Sequence, residues 1–120
     1  MRIFDCFPLF NEIDILELRL NELWHLVDVF VIVEAKTTFT GNRKPICLAQ
    51  HEERLAKYMS KIRHIVIEDF PEGMSNWGKE EYQRNAIKVK LSDALPDDVI
   101  IFSDLDEIPR ANVVQLIVEK

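Results

Sequence analysis

The stretch Val99-Ile100-Ile101-Phe102-Ser103-Asp104-Leu105-Asp106-Glu107-Ile108-Pro109 constrains the fold more than any other part of the chain. Val99 to Phe102 is an unbroken apolar run bounded by polar residues, which reads as a strand buried on both faces. It leads directly into three carboxylates. Side chains two apart in extended backbone point the same way, so Asp104 and Asp106 are expected on one side and Leu105 on the other. In open α/β sheets, ligands sit in the crevice beyond the carboxyl ends of the strands. Two acids placed there without a basic neighbour repel each other unless a cation lies between them. Hard oxygen ligands of this kind suit Mg²⁺ or Mn²⁺, which commonly hold phosphates as well. A solvated acidic loop behind a core strand has the same pattern, and both readings stand at this point.

Upstream, strand and helix patterns alternate. Arg2 to Phe7 reads as a short strand closed by Pro8, which cannot donate to a ladder. Asn11, followed by Asp14, has the character of a helix N-cap with an acidic first turn. Ile13, Leu16, Leu20, Leu23 and Val27 then recur at helical spacing, which assigns Glu17, Arg19 and Asn21 to solvent. Val29 to Val33 reads as a buried strand ending on Glu34, where an acid can meet a ribose or a base. The polar segment from Ala35 to Pro45, with Phe39 at its centre, reads as a loop whose hydroxyls and cations either touch phosphates or simply face water.

A helix is expected over 49–60 with Leu55 and Met59 inward, then a third strand over 63–68 near a sheet edge. Residues 69–78 read as a loop in which Trp77 packs over a neighbour or stacks on a ligand, packing being the favoured reading. The third helix, over 79–92, carries Tyr82, Ala86 and Val89 as its apolar stripe, with Arg84 and Asn85 on its flanks. After the acidic strand, Pro109 suits the first position of a last helix, with Val113, Leu116 and Ile117 inward. The order β-α-β-α-β-α-β-α implies an α/β fold with a parallel sheet and right-handed crossovers. With the first two strands internal, the expected strand order is 3-2-1-4, and the last strand is left with an open edge suited to self-association.

At 120 residues, the chain has the size of one domain. Its formal charge of -6 argues against binding nucleic acid through a broad basic face. Cys6 and Cys47 form neither a CxxC pair nor a disulfide framework, which points to a reducing, cytoplasmic setting. His25, His51 and His64 show no metal-binding spacing and read as surface or helix-face residues. No stretch reaches the roughly 18 apolar residues of a membrane span, and the N-terminus does not resemble a signal peptide. Three glycines, Gly41, Gly73 and Gly78, cannot build a GxGxxG turn or a P-loop. Gly-x-Ser-x-Gly is absent.

The blocks Ile3-Phe4-Asp5-Cys6-Phe7-Pro8, Phe10-Asn11-Glu12, Glu17-Leu18-Arg19-Leu20, Phe30-Val31-Ile32-Val33-Glu34, Thr38-Phe39-Thr40-Gly41, Gln83-Arg84-Asn85 and Ser103-Asp104-Leu105-Asp106-Glu107-Ile108-Pro109 occur in that order along essentially the whole chain. Together they resemble glycosyltransferase family 17. The resemblance implies a Rossmann-like sheet of the GT-A type with helices on both faces, a UDP-sugar donor such as UDP-GlcNAc, a glycan acceptor and a divalent cation, Mn²⁺ or Mg²⁺. It assigns the metal to Asp106 with Asp104, and the nucleotide-sugar to Asp104, Glu34, Arg84 and Asn85. An ion pair of Arg84 with Glu80 or Glu81 on its own helix is the competing reading.

Against the GT-A pattern, the second half that carries acceptor elements and the catalytic base is expected either to lie outside this sequence or to be supplied by something else. Only Glu107 and Glu119 follow the acidic pair, and neither matches a base. The expectation is therefore the donor-binding half of a transferase, or else a nucleotide-sugar-binding module without chemistry.

Overall fold

The computed structural model describes residues 1–38 and 40–119, the side chains of 117–119 excepted. Phe39 and the side chains of Ile117 and Glu119 therefore lie outside the described residues. Four strands form one sheet: β1 (Ile3–Pro8), β2 (Val29–Ala35), β3 (Ile62–Ile67) and β4 (Val99–Phe102). All neighbours are parallel and the order is β3-β2-β1-β4, as the crossover rules predict. The helices are α1 (Ile13–Leu23), α2 (Cys47–Gln50), α3 (Glu52–Leu55), α4 (Asn76–Val89) and α5 (Ala111–Glu119), with a 3-10 helix over Ala56–Lys61.

The alternation of side chains along β1 and β2 separates two apolar clusters. Ile3, Phe7, Phe30 and Ile32 pack with Leu16, Leu20 and Leu23 of α1, and with Leu48, Leu55 and Tyr58. Phe4, Cys6, Val31 and Val33 face the other way and pack with Ile67 and with Ile87 of α4. Helices thus cover both faces. Among the described residues, no helix is long and apolar enough to cross a membrane.

Several local expectations are corrected. The helix expected over 49–60 is broken at His51 and ends as a 3-10 turn. The tighter period turns Tyr58 inward and leaves Met59 exposed. No side chain caps α1, whose N-cap position is Glu12 rather than Asn11. Helix α4 starts earlier than its apolar stripe suggests, because the Ser75 hydroxyl accepts the Gly78 N–H at 3.1 Å. Trp77 consequently falls in the first turn of α4 and is 71 % exposed instead of packed.

The buried face of α4 carries Gln83 and Ile87, whereas Tyr82 and Val89 are exposed. β4 is an edge strand with one covered face: Val99 and Ile101 pack on the α1 side, while Ile100 and Phe102 are exposed. Pro109 stands two residues before α5, and Val114 is the inward residue there instead of Val113 or Leu116. His64 is a strand residue, half-buried on β3.

The turn between α4 and β4 is tied to the N-terminus by ions. Arg63 donates two bonds of 2.8 Å to the Asp93 carboxylate, and Arg2 donates to the same group at 3.1 Å. Asp98 accepts the backbone N–H groups of Leu95 and Arg2, both at 2.8 Å. The Arg63 guanidinium, supported by Arg2, holds the Asp93 carboxyl well below the ordinary 3.8. The two backbone donors hold Asp98 low as well. A depressed folded pKa stabilises the fold above the unfolded value and ceases to do so as pH falls through the folded one. Stability should therefore be flat near neutrality and fall below about pH 4. Asp93→Asn should lower the melting temperature at pH 7 and flatten the acid limb, as read by circular dichroism melts across pH; an unchanged acid limb would exclude this cause.

Both cysteines are free and buried, Cys6 in the α4-face cluster and Cys47 in the α1-face cluster. Burial, and then the charge of Asp5, push the Cys6 thiol up to about 12. Burial raises Cys47 too. Neither thiol should react with a disulfide reagent at pH 8 until denaturant is added, a result that thiol titration checks directly.

Candidate functional site

A cleft of about 450 Å³ opens beyond the carboxyl ends of β1 and β4. The end of β1 supplies Pro8, the segment after it Phe10 and Glu12, and α4 supplies Glu80, Gln83, Arg84 and Ile87. Phe102, Asp104, Leu105 and Asp106 close it from the end of β4. Gln83, Ile87 and Leu105 are buried and make its floor; Arg84, Asp104 and Asp106 are exposed and make its rim.

Three residues picked from the sequence therefore meet here: Asp104, Asp106 and Arg84. They do so by a different route from the one expected. The backbone leaves the extended form after Phe102 and turns, with the Glu107 N–H donating to the Asp104 carbonyl at 3.1 Å. The Glu107 carboxylate accepts the Asp104 N–H at 2.9 Å and so pins the turn. Leu105 is driven into the core as the alternation predicts, and both aspartates stay outside. Arg84 makes no ion pair with Glu80 or Glu81 among the described residues; its guanidinium lies over the Phe102 ring, 5.3 Å from the centroid.

Arg19 underpins this turn, and the helical periodicity assigned it to solvent. Its side chain is wholly buried. Nε and Nη2 donate to the two oxygens of Asp5 at 2.8 and 2.6 Å. Nη1 donates to the carbonyls of Asp104 and Leu105 at 2.7 and 3.1 Å, and Nη2 also reaches the Ser103 hydroxyl at 2.7 Å. All five guanidinium donors are thus engaged, and the group stacks 4.4 Å from the Phe7 centroid. Burial pushes the Asp5 carboxyl up, and the guanidinium on it pulls the other way. One signal for this pair was present in the sequence: Asp5 sits inside an apolar strand, and a buried acid there needs a cation.

Two other expected site residues are not brought to the cleft. Glu34 is fully buried and accepts the backbone N–H groups of Cys47 and Leu48 at 2.6 and 3.2 Å. Its second oxygen also lies 2.8 Å from Nε2 of His64. It anchors the start of α2 against β3. Asn85 is exposed on α4 outside the cleft lining. The polar loop after β2 folds back on itself through a Thr37–Arg43 bridge, with Gly41 at φ 92° supplying the turn. Its Lys36 pairs with Glu68 and its Lys44 donates to the Phe10 carbonyl at 3.2 Å.

Among the described residues, no group of three or more His, Cys, Asp or Glu side chains forms a preformed metal cage. Asp104 and Asp106 offer hard oxygens on an open rim. Such a pair suits a divalent ion that takes its remaining ligands from water and from phosphate oxygens. The wider lining includes Glu12 and Glu80, so the cleft carries four carboxylates and one guanidinium. An anionic ligand meets net repulsion there unless a cation accompanies it.

A parallel sheet in this order, with a polar cleft beyond its carboxyl edge, defines a Rossmann-like α/β domain. The chain belongs to glycosyltransferase family 17, whose family description matches residues 1–119. Its relatives include the beta-1,4-mannosyl-glycoprotein 4-beta-N-acetylglucosaminyltransferases of Rattus norvegicus and Homo sapiens. Each is 30 % identical over 119 residues, covering 90 % of this chain and 22 % of the relative. The Mus musculus enzyme of the same name is 29 % identical over the same span. The chain therefore spans about a fifth of the length of these relatives. No solved structure matches it.

Removing Arg19 would leave Asp5 buried without its cation, which costs stability whether the carboxyl stays charged or takes up a proton. Arg19→Ala should destabilise the chain by about 3–5 kcal/mol, the usual cost of breaking a buried pair from one side. Arg19→Lys should recover only part of this, because three ammonium donors cannot replace five guanidinium donors. Urea denaturation measures both; a loss near the surface-pair range, below about 1 kcal/mol, would show that the pair does not hold the turn.

Proposed function

We propose that this chain is the donor-binding part of a metal-dependent glycosyltransferase, taking a nucleotide-sugar of the UDP-GlcNAc type for transfer to a glycan acceptor. The observation that carries the reading is the meeting of Asp104, Asp106 and Arg84 on the rim of one cleft in a family 17 chain. The names of the relatives support N-acetylglucosamine as the sugar and a mannose-bearing glycan as the acceptor.

Asp104 and Asp106 would hold Mn²⁺ or Mg²⁺, and Arg84 would approach the diphosphate from the facing helix. When bound, the ion stabilises the negative charge that builds on the departing diphosphate. The protein's own part is positional. Arg19 and Glu107 fix the turn that carries the two aspartates, and the Phe102 ring supports Arg84 from below. The acidic lining makes cation and nucleotide mutually dependent, since each relieves the repulsion that the other meets.

Calorimetry with UDP, with and without Mn²⁺, tests this. UDP should bind more tightly with Mn²⁺ present, and Mn²⁺ more tightly with UDP present, by the same factor. Asp106→Asn should remove the metal-dependent part of UDP binding and leave the melting curve in place. Arg84→Ala should weaken UDP by about tenfold or more while sparing uridine, because its bond is to the diphosphate. Equal affinity with and without Mn²⁺, together with a silent Asp106→Asn, would refute the metal assignment. Release or transfer of the sugar from UDP-GlcNAc with Mn²⁺ then separates an enzyme from a module that only binds.

A further inference from the structure

One aromatic ring of the chain is placed against the ordinary tendency of its type, which is to be largely buried. Trp77 is 71 % exposed, and its indole makes no hydrogen bond or ring contact among the described residues. The turn that carries it is nevertheless firmly held. The Ser75 hydroxyl accepts the Gly78 N–H, and Met74 lies so close against Gly78 that a β-carbon there would come within 2.8 Å of its Cγ. Glycine is a poor helix residue, and here it is what allows the preceding loop to pack onto the first turn of α4. Fixing a large ring in water adds nothing to the fold.

The position of the ring relates it to the cleft. Helix α4 carries the chain back from the carboxyl end of β3 to the amino end of β4, so its first turn stands at the carboxyl edge of the sheet, where the cleft opens. Residues three and four apart share one face of a helix, so Trp77, Glu80 and Arg84 form one stripe. Glu80 and Arg84 line the cleft, and Trp77 extends their row outward to its mouth. Helical rise sets Glu80 about 6 Å and Trp77 about 10 Å from Arg84 along the axis. The Glu80 carboxylate is exposed and, like the indole, has no partner among the described residues.

From this we infer that Trp77 and Glu80 form a sugar subsite at the mouth of the cleft, the indole stacking on a pyranose ring of the glycan acceptor and the carboxylate accepting its hydroxyls. The inference rests on the transferase reading above and adds to it the residues that take the acceptor. A pyranose has a face of C–H groups and a rim of hydroxyls. The C–H face covers an aromatic ring while the hydroxyls stay free to donate, and an ionised carboxylate only accepts. A sugar is neutral, so it meets none of the repulsion that the acidic lining sets against an anion. With the diphosphate at Arg84, the donor sugar takes the turn between, and the ring over Trp77 is the acceptor's.

The test follows the indole N–H signals of Trp24 and Trp77 by NMR while the chain is titrated with mannotriose, and separately with UDP and with UDP-GlcNAc in Mg²⁺. Trp24, half-buried and stacked on Phe30 with centroids 6.2 Å apart, is the internal reference. Mannotriose should shift the Trp77 signal saturably and leave that of Trp24 in place. Trp77→Ala should weaken mannotriose by about tenfold or more, the usual cost of truncating a tryptophan that anchors a ligand. Trp77→Phe should keep much of the affinity, because a smaller ring still stacks, and Glu80→Gln should lose part of it. Melting temperatures should hold in all three, since neither side chain is packed. A ring with a merely structural role would lower the melting temperature of Trp77→Ala and leave the sugar titration unchanged. No saturable shift with mannotriose overturns the inference, as does undiminished affinity in Trp77→Ala. A Trp77 shift produced by UDP-GlcNAc but by neither UDP nor mannotriose would give the ring to the donor sugar and overturn the acceptor assignment. Failure of UDP to bind with Mg²⁺, with the mannotriose response intact, would sink the nucleotide-sugar reading and leave the sugar subsite standing.

Discussion

The buried pair of Arg19 and Asp5 is the interaction on which the rest of the structure depends. Both side chains are removed from water, Asp5 in the central strand and Arg19 in the first helix. Two charges so placed cost more to desolvate than their mutual attraction alone returns, unless every remaining donor is also engaged. Here each donor is. The guanidinium closes on Asp5 with two bonds and directs its other donors to the backbone of Asp104 and Leu105 and to Ser103. One side chain thereby fixes the first strand, the first helix and the acidic turn relative to each other. Hydrophobic packing orients the helix, and the ion pair sets where the turn lies.

The carboxylates of the chain divide by what answers their charge. Asp5 is met by a guanidinium, and Glu34 by two backbone N–H groups and His64. Asp93 is met at the surface by two arginines. Each of these acids joins segments far apart in sequence. Glu12, Glu80, Asp104 and Asp106 are left around one cleft with Arg84 as the facing cation. Concentrating acids there works against the fold electrostatically, in a chain whose net charge is already -6. The arrangement makes physical sense when a cation is part of what the cleft holds.

How much of this was legible in the sequence follows from the kind of signal each feature leaves. The four strands and their parallel order follow from apolar runs and right-handed crossovers, which depend on local pattern and chain geometry, whereas the turn that brings Asp104 and Asp106 to the cleft replaces the extended alternation expected there. Arg19 was misplaced because periodicity assigns a residue to a helix face by type, and a buried cation looks like a surface one until its partner is known. The stripe on α4 was misread because Tyr82 and Val89 are apolar and Gln83 is not, although the helix turns Gln83 inward. The helix after the polar loop appeared continuous because nothing in its composition marks the break at His51. Glu34 sits at the expected end of β2, but position along a strand does not reveal that two backbone N–H groups already claim its carboxylate. The blocks shared with family 17 bridged part of this gap, since they carry arrangement as well as composition.

Helix α4 brings the remaining tension into one place. Adjacent positions on it serve opposite environments: Arg84 stands on the exposed rim over Phe102, and Gln83 points into the floor beside Ile87. The Ser75 cap fixes where the helix begins, and the packing of Ile87 against Phe4 and Cys6 fixes its rotation, so the two orientations are set together. A helix positioned only for stability would carry an apolar residue at 83. Retaining an unpaired amide there breaks the rule that the rest of the core obeys, and breaches of that rule are expected where binding competes with packing. The same rotation that buries the amide directs Arg84 toward the aspartates across the cleft. The rim cation and the buried face thus ride on one rigid helix, so a shift of α4 would move Arg84 and unseat Ile87 together.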